Sequence, residues 1–398
     1  MGRIRFLTAG ESHGQGLVGI LEGMPAGLPL REEDILIELG RRQVGHGRGG
    51  RMKIESDRAK ILSGVRFGKT LGSPIALFIE NKDWKNWQTK MAVEEPNGPV
   101  KEVTVPRPGH ADFAGAVKYG HTDIRNVLER ASARETAMRV ALGAIAKVFL
   151  AQFGIKMVSH VVQIHSVQNP FSVANLGGKE LSTDFQLDQI NDLADASPVR
   201  CLDLSLEKAM MARIDEAREQ RDTVGGTFEV VALGVPVGLG SYVHWERKLD
   251  ARIAHAMMSI PAIKGVEIGL GFEAASRWGS AVHDPIYYDE KQARYYRSSN
   301  HAGGLEGGVT NGMPLVARVA MKPISTLMQP LDSVDMSTKE KTPAHVERSD
   351  VCAVPAASVI GEAILALVLC DAFLEKFGGD SINEIKSTYE RWQGHVAK

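Results

Sequence analysis

Between Arg41 and Lys53 the chain carries five cations, Arg41, Arg42, Arg48, Arg51 and Lys53, and no acid. Glycines at 45, 47, 49 and 50 lie among them. Backbone without side chains lets N–H groups and guanidinium forks close around one small anion. A solvated basic face would hold the same charges, and nucleic acid is the competing anion. A nucleic-acid surface normally spreads basic residues over a whole face and interleaves aromatic ones. This segment has no Phe, Tyr or Trp, and the chain is 6% aromatic. A small polyanionic metabolite fits better than a polymer.

A second cation adjoins a histidine in Arg107-Pro108-Gly109-His110, on a loop stiffened by Pro and Gly. Histidine exchanges protons near neutrality, notably with a phosphate oxygen. Any one of twelve histidines is more often structural, but His13 and His110 each lie on a glycine-bounded loop with a polar neighbour. In Leu128 to Thr136, small and hydroxyl residues stand beside Arg130 and Arg134. That pattern suits close helix packing or a face kept small for a flat or phosphorylated ligand. Lys322-Pro323-Ile324-Ser325-Thr326 and Arg348-Ser349-Asp350 set further cations beside hydroxyls. Asp350 is the best carboxylate for general-base work, although residue types alone make it an ion-pair partner. No metal pattern such as H-E-x-x-H occurs.

Two short matches fail on context. Gly10-Glu11-Ser12-His13-Gly14 fits the G-x-S-x-G of a hydrolase elbow, which needs a strand turning into a helix. The following residues, with glycines at 16 and 19 and Pro25, read as a strand. Gly14-Gln15-Gly16-Leu17-Val18-Gly19 fits G-x-G-x-x-G and lacks the helix amino terminus that a pyrophosphate needs.

These residues need a scaffold. The 398 residues hold 47 Lys+Arg against 48 Asp+Glu, a net charge of −1, with 43% hydrophobic residues, the proportions of a soluble globular protein. Three scattered cysteines argue against a disulfide framework and for a reducing, cytoplasmic setting. The longest apolar run, 363–370, is too short for a membrane span, and no signal peptide is expected. Glycine is in excess, 41 against the roughly 28 of average usage, and clusters between patterned segments.

Strands are expected at 3–8, 15–21, 52–55, 59–67, 74–80, 227–237 and 263–270, with a strand pair over 155–167 and a hairpin over 309–321 turning at Asn311-Gly312. Helices are expected at 31–43, 124–153, 204–222, 248–258 and 356–377. The polar, aperiodic stretch 83–103 reads as a surface excursion or lid. Short connections without strand-helix alternation indicate an α+β fold with antiparallel sheets, in one large domain spanning 1–398.

In order along the chain, the Gly10 to Gly14 turn with Glu22-Gly23-Met24-Pro25, Arg42 to Arg51, Arg107-Pro108-Gly109-His110-Ala111-Asp112, Ser132 to Thr136, Asn300-His301-Ala302-Gly303-Gly304, and Lys322 through Asp350 closely resemble the chorismate synthase family. The resemblance implies a lyase that removes phosphate and a ring proton from 5-enolpyruvylshikimate 3-phosphate by anti 1,4-elimination. It implies reduced FMN as cofactor, with NADPH as a possible flavin reductant. It also implies a β-α-β sandwich, helices between antiparallel sheets, assembled as a homotetramer with no nucleic-acid or membrane partner. By matching motif, Arg42, Arg48, Arg51, Arg107 and Arg134 would bind substrate anions or cofactor phosphate. His13 would protonate the leaving phosphate, His110 would donate toward the flavin, and Asp350 would act as base through it. Flavin contacts would come from Ser132, Ala133, Arg134, Pro261, Ala262, Gly307, Lys322, Pro323, Ile324, Ser325, Thr326 and Arg348. Pro261 stands where many relatives have an amide side chain, so a side-chain hydrogen bond is absent there.

Overall fold

Alternation builds the first sheet. In Gly16–Glu22 the side chains of Leu17 and Leu21 point inward while Val18, Ile20 and Glu22 face out, and in Ile75–Glu80 the inward set is Ile75, Leu77 and Ile79. These strands lie between Arg5–Ala9 and Ala59–Ile61, every ladder antiparallel. The structure, a computed structural model, describes residues 2–49, 57–96, 98–176, 186–291, 294–347 and 349–396. A second antiparallel sheet runs in the order Ile263–Ile268, Leu315–Met321, Gly226–Leu233, Lys156–Ile164, Val167–Gln168. The α+β expectation holds.

Helix Thr136–Ala151 packs on the first sheet and on helix Val354–Phe377, which in turn packs on Lys156–Ile164 and Gly226–Leu233. Two glycines set these spacings. A Cβ on Gly143 would stand 2.4 Å from the Ala363 Cβ, and one on Gly361 would stand 2.7 Å from Val230 Cγ2. Part of the glycine excess thus serves close packing rather than loops.

Val354–Phe377 is apolar almost all round, starts at Pro355 and stops at Gly378, whose φ is +63°. Its 24 residues are long and apolar enough to cross a membrane, yet 89% of its most apolar window is buried in protein. Its fully buried charge is Glu362, met by both Nη atoms of Arg41 at 2.8 Å, by Lys147 Nζ at 2.5 Å and by Ser159 Oγ at 2.5 Å. Burial would raise the Glu362 pKa, but Lys147 and Arg41 hold it well below the usual carboxylate range.

Several expected elements differ. The helix expected over 124–153 is broken into Arg125–Leu128, a single turn Ala133–Glu135, and Thr136–Ala151. Ser132 adopts an extended backbone and its hydroxyl accepts the Arg134 N–H, capping a new start. The hairpin expected over 309–321 does not form. Val309–Thr310 pairs back to Leu305–Glu306, while Leu315–Met321 is recruited between two strands of the second sheet. The strand expected over 59–67 divides into Ala59–Ile61 and Val65–Arg66, and the one over 227–237 ends at Leu233. The strand expected over 52–55 lies outside the described residues.

Candidate active site

Three pairs of segments assemble the site. Gly47 O accepts the Val351 N–H at 2.8 Å, which lays the glycine-rich loop along residues 349–352 and sets Arg48 Nη1 at 2.7 Å from Asp350 Oδ2. Asn81 donates to the carbonyls of Ser12 and Gly14 at 3.2 and 2.8 Å, stapling the turn that carries His13. Arg107 reaches Thr326 Oγ1 at 2.9 Å, and Lys322 Nζ donates to the Gly109 carbonyl, joining the Arg107–His110 loop to the 322–326 segment.

Together these surround a cavity of about 640 Å³. His13, Arg42, Arg48, Arg107, His110, Ser132, Ala133, Arg134, Pro261, Ala262, Lys322, Ile324, Ser325, Thr326 and Asp350 all line it. Pro323 lies between two lining residues. Arg51 and Arg348 lie outside the described residues. Gly307 is elsewhere: the neighbouring Gly308 carbonyl accepts Leu249 N–H at the start of helix Leu249–Met258, whose ten residues put that end about 15 Å from the end leading to Pro261.

The cluster of cations splits on helix Glu32–Gln43. Successive residues on a helix point about 100° apart. Arg41 therefore turns to Glu362, while Arg42 enters the cavity wall. Arg42 donates from Nε and Nη2 to Thr136 Oγ1 at 3.2 and 3.0 Å, and from Nη2 to Ala133 O at 3.1 Å. Its Nη1 is sealed from solvent and, among the described residues, has no hydrogen-bond partner, with Asp57 3.8 Å away. Burial, then repulsion from Arg48 and Arg134, lowers the Arg42 pKa to about 10. Arg134 directs Nη1 at both Asp57 oxygens, 2.6 Å each.

Each histidine leans on a buried carboxylate. His13 Nδ1 is 2.9 Å from Glu129 Oε2, and Glu129 also accepts the His13 backbone N–H at 2.9 Å. His110 Nδ1 is 2.5 Å from Asp112 Oδ1, and Arg107 Nε is 2.8 Å from Asp112 Oδ2. Burial would raise the Asp112 pKa, but the hydrogen bonds from His110 and Arg107 hold it well below the usual carboxylate range. Burial pushes the nearby Cys352 thiol up to about 12, away from the thiolate form.

The apolar part of the wall includes the short side chains of Ala131, Ala133, Ala353, Ala356 and Ala357, beside the longer Leu128, Ile260, Met321, Ile324 and Ile360. Ala353 to Ala357 and Ala133 to Thr136 are the amino-terminal ends of the two central helices, so two positive helix ends converge on one space. Ala262 takes a left-handed backbone, φ +68°, strained for a residue with a Cβ. A flat, phosphorylated group fits a smooth slot with an unsatisfied guanidinium at its edge. Arg42, Arg107 and Arg134 are only 5%, 8% and 7% exposed, so their guanidiniums sit within the cavity wall rather than on an outer face.

The refused motifs are resolved. The Gly10 to Gly14 turn joins two strands, Arg5–Ala9 and Gly16–Glu22, and residues 16–19 lie within the second. Sequence reading missed Asp57, Asp112, Glu129 and Trp87. Asp112, two residues beyond His110, and Trp87, one of two tryptophans in a polar stretch, carried a signal. Asp57 became a site residue only through contact with Arg134.

A family model described as chorismate synthase matches residues 4–374. A chorismate synthase of Aquifex aeolicus is 59% identical over 395 residues, covering 99% of this chain and 98% of the relative. One of Geobacter sulfurreducens is 57% identical over 401 residues, covering 99% of each. A solved structure, "Crystal Structure of Chorismate Synthase", matches with a TM-score of 0.79 at 48% identity, covering 99% of this chain and 98% of that one.

Proposed function

The chain belongs to the chorismate synthase family, and from that premise we propose that its cavity converts 5-enolpyruvylshikimate 3-phosphate to chorismate, the last common step of the shikimate pathway. The reading rests on the convergence of Arg42, Arg48, Arg107 and Arg134 with His13 and His110 around one concave space.

The substrate carries two carboxylates and a phosphate, and this chain answers with guanidiniums whose desolvated hydrogen bonds are each worth roughly 1.5–3 kcal/mol. Arg42, Arg48 and Arg134 bind those anions. His13 gives a proton to the departing phosphate, and the C–O bonding electrons leave with it. The electrons of the broken ring C–H bond remain as the new double bond. Asp350, held by Arg48 and by the Gly49 N–H at 2.6 Å, supplies the carboxylate toward which the ring proton is drawn. Reduced FMN, when bound, lends electron density that helps phosphate leave. Ser132, Ala133, Ala262 and residues 322–326 would hold it, with His110 donating toward it. Pro261 offers only its ring and carbonyl, and Gly307 is left out of the contacts made within its own subunit.

The two helices packed between the sheets support the sandwich architecture, read as one domain with 83–103 as its excursion. A homotetramer in the cytoplasm completes the reading. Anaerobic protein with excess reduced FMN should release phosphate from the substrate, and no release would overturn the proposal. Flavin-free ester cleavage lost in Ser12→Ala would instead indicate a hydrolase. Turnover with NADPH and oxidised FMN as the sole redox pair would assign flavin reduction to this chain. Turnover only with pre-reduced flavin would assign it elsewhere.

A further inference from the structure

Glu129 is almost fully buried and accepts from three donors: the His13 backbone N–H at 2.9 Å, His13 Nδ1 at 2.9 Å and Arg125 Nη1 at 2.9 Å. A carboxylate so used fixes the proton of His13 on Nδ1, and a proton delivered to a ligand then leaves from Nε2. The opposite wall is Trp87. Its ring stacks on the imidazole with centroids 3.8 Å apart and planes 22° apart. Trp87 is itself held by Nε1 donating to Asp83 at 3.0 Å, with the cations of Arg125 and Lys90 each 5.2 Å from its ring.

We propose that Glu129 is the positioning residue for His13. It selects the ring tautomer and aims Nε2 at the leaving phosphate, while Trp87 confines the ring to that plane. The inference rests on the lyase reading above and assigns Glu129 no proton transfer of its own: the proton passes from Nε2 of the doubly protonated ring to a phosphate oxygen, and the neutral ring left behind keeps its Nδ1–H directed at the carboxylate. The parallel pair, His110 on Asp112, shows the same economy in the second histidine of the cavity.

A purely structural Glu129 would tolerate Glu129→Gln, which keeps size and an accepting oxygen. A positioning Glu129 would not, because an amide can turn its NH2 toward Nδ1 and stabilise the wrong tautomer. In the flavin-supplemented enzyme, Glu129→Gln is expected to lower kcat about 100-fold with KM within about twofold. Glu129→Asp, which withdraws the carboxylate by one methylene and keeps the charge beside Arg125, should also lose most of kcat. It provides the test if the Gln variant fails to fold. Added imidazole should restore turnover to His13→Gly but not to His13→Gly/Glu129→Gln.

A second readout needs neither substrate nor flavin. The Trp87 contribution to emission, taken as wild type minus Trp87→Phe, should change when Glu129 no longer holds the stacked ring. Glu129→Gln and Glu129→Asp with kcat within about threefold of wild type, or an unchanged Trp87 contribution, would overturn the proposal. Wild-type protein without lyase turnover would refute the lyase reading alone, leaving the emission to decide whether Glu129 holds His13.

Discussion

Arg42→Met should leave the ligand-free protein about as stable as wild type, although a buried charge-bearing side chain is removed, and make its ligand affinity worse. The drop of the Arg42 pKa from 12.5 to about 10 means that the charged form is roughly 3 kcal/mol less favourable in the fold than in the open chain. The sign follows from linkage: a lowered pKa on a base penalises folding wherever the group is charged in both states, which is everywhere below about pH 10. Methionine fills similar space without charge, and its neighbours are not orphaned. Thr136 Oγ1 still donates to Ala133 O at 2.5 Å, and Asp57 keeps Arg134 at 2.6 Å. The three hydrogen bonds lost from Arg42 offset most of that gain, at about 1 kcal/mol each. Urea unfolding at neutral pH should therefore place the variant within about 1 kcal/mol of wild type. Loss of one charge-assisted hydrogen bond should weaken substrate binding about 10- to 100-fold in equilibrium titration. A variant clearly less stable than wild type, or one with unchanged affinity, would refute the view of Arg42 as a guanidinium held short of partners until an anion arrives.

His13→Ala and Asp350→Ala should each slow turnover by at least about 100-fold while leaving flavin binding, read by fluorescence titration, within about threefold. Glu362→Gln should cost about 3–5 kcal/mol in urea unfolding, because Arg41, Lys147 and Arg200 would lose their common carboxylate. Glu229 is fully buried, and although burial raises its pKa, the His160 hydrogen bond and charge with Arg318 bring it down to about 2. A lowered carboxylate pKa contributes stability that is present above about pH 4.5 and lost as pH falls toward 2, roughly 3 kcal/mol in all. Glu229→Gln should flatten the pH dependence of unfolding in that window.

Local pattern was enough for three strands of the first sheet, Arg5–Ala9, Gly16–Glu22 and Ile75–Glu80, and for helix Val354–Phe377, whose apolar run, Pro355 and Gly378 are all local signals. It was not enough at Ser132. The residues on either side are good helix formers, and only the demand for a capped turn at the cavity breaks the helix there. The Asn311-Gly312 signal misled in the same way, because a strand as apolar as Leu315–Met321 gains more between two partners than in a hairpin. The cations and histidines of the site were visible as types and spacings. Their carboxylate partners were harder to see: Asp57 stands 77 residues from Arg134 and Glu129 stands 116 from His13, separations no local motif encodes.

The most direct test counts phosphate and chorismate in one anaerobic reaction of the protein with 5-enolpyruvylshikimate 3-phosphate and reduced FMN. One phosphate per chorismate is expected, with neither product formed when flavin is omitted. Turnover without flavin, or phosphate released without chorismate, would contradict the assignment of this elimination to the arginine-lined cavity.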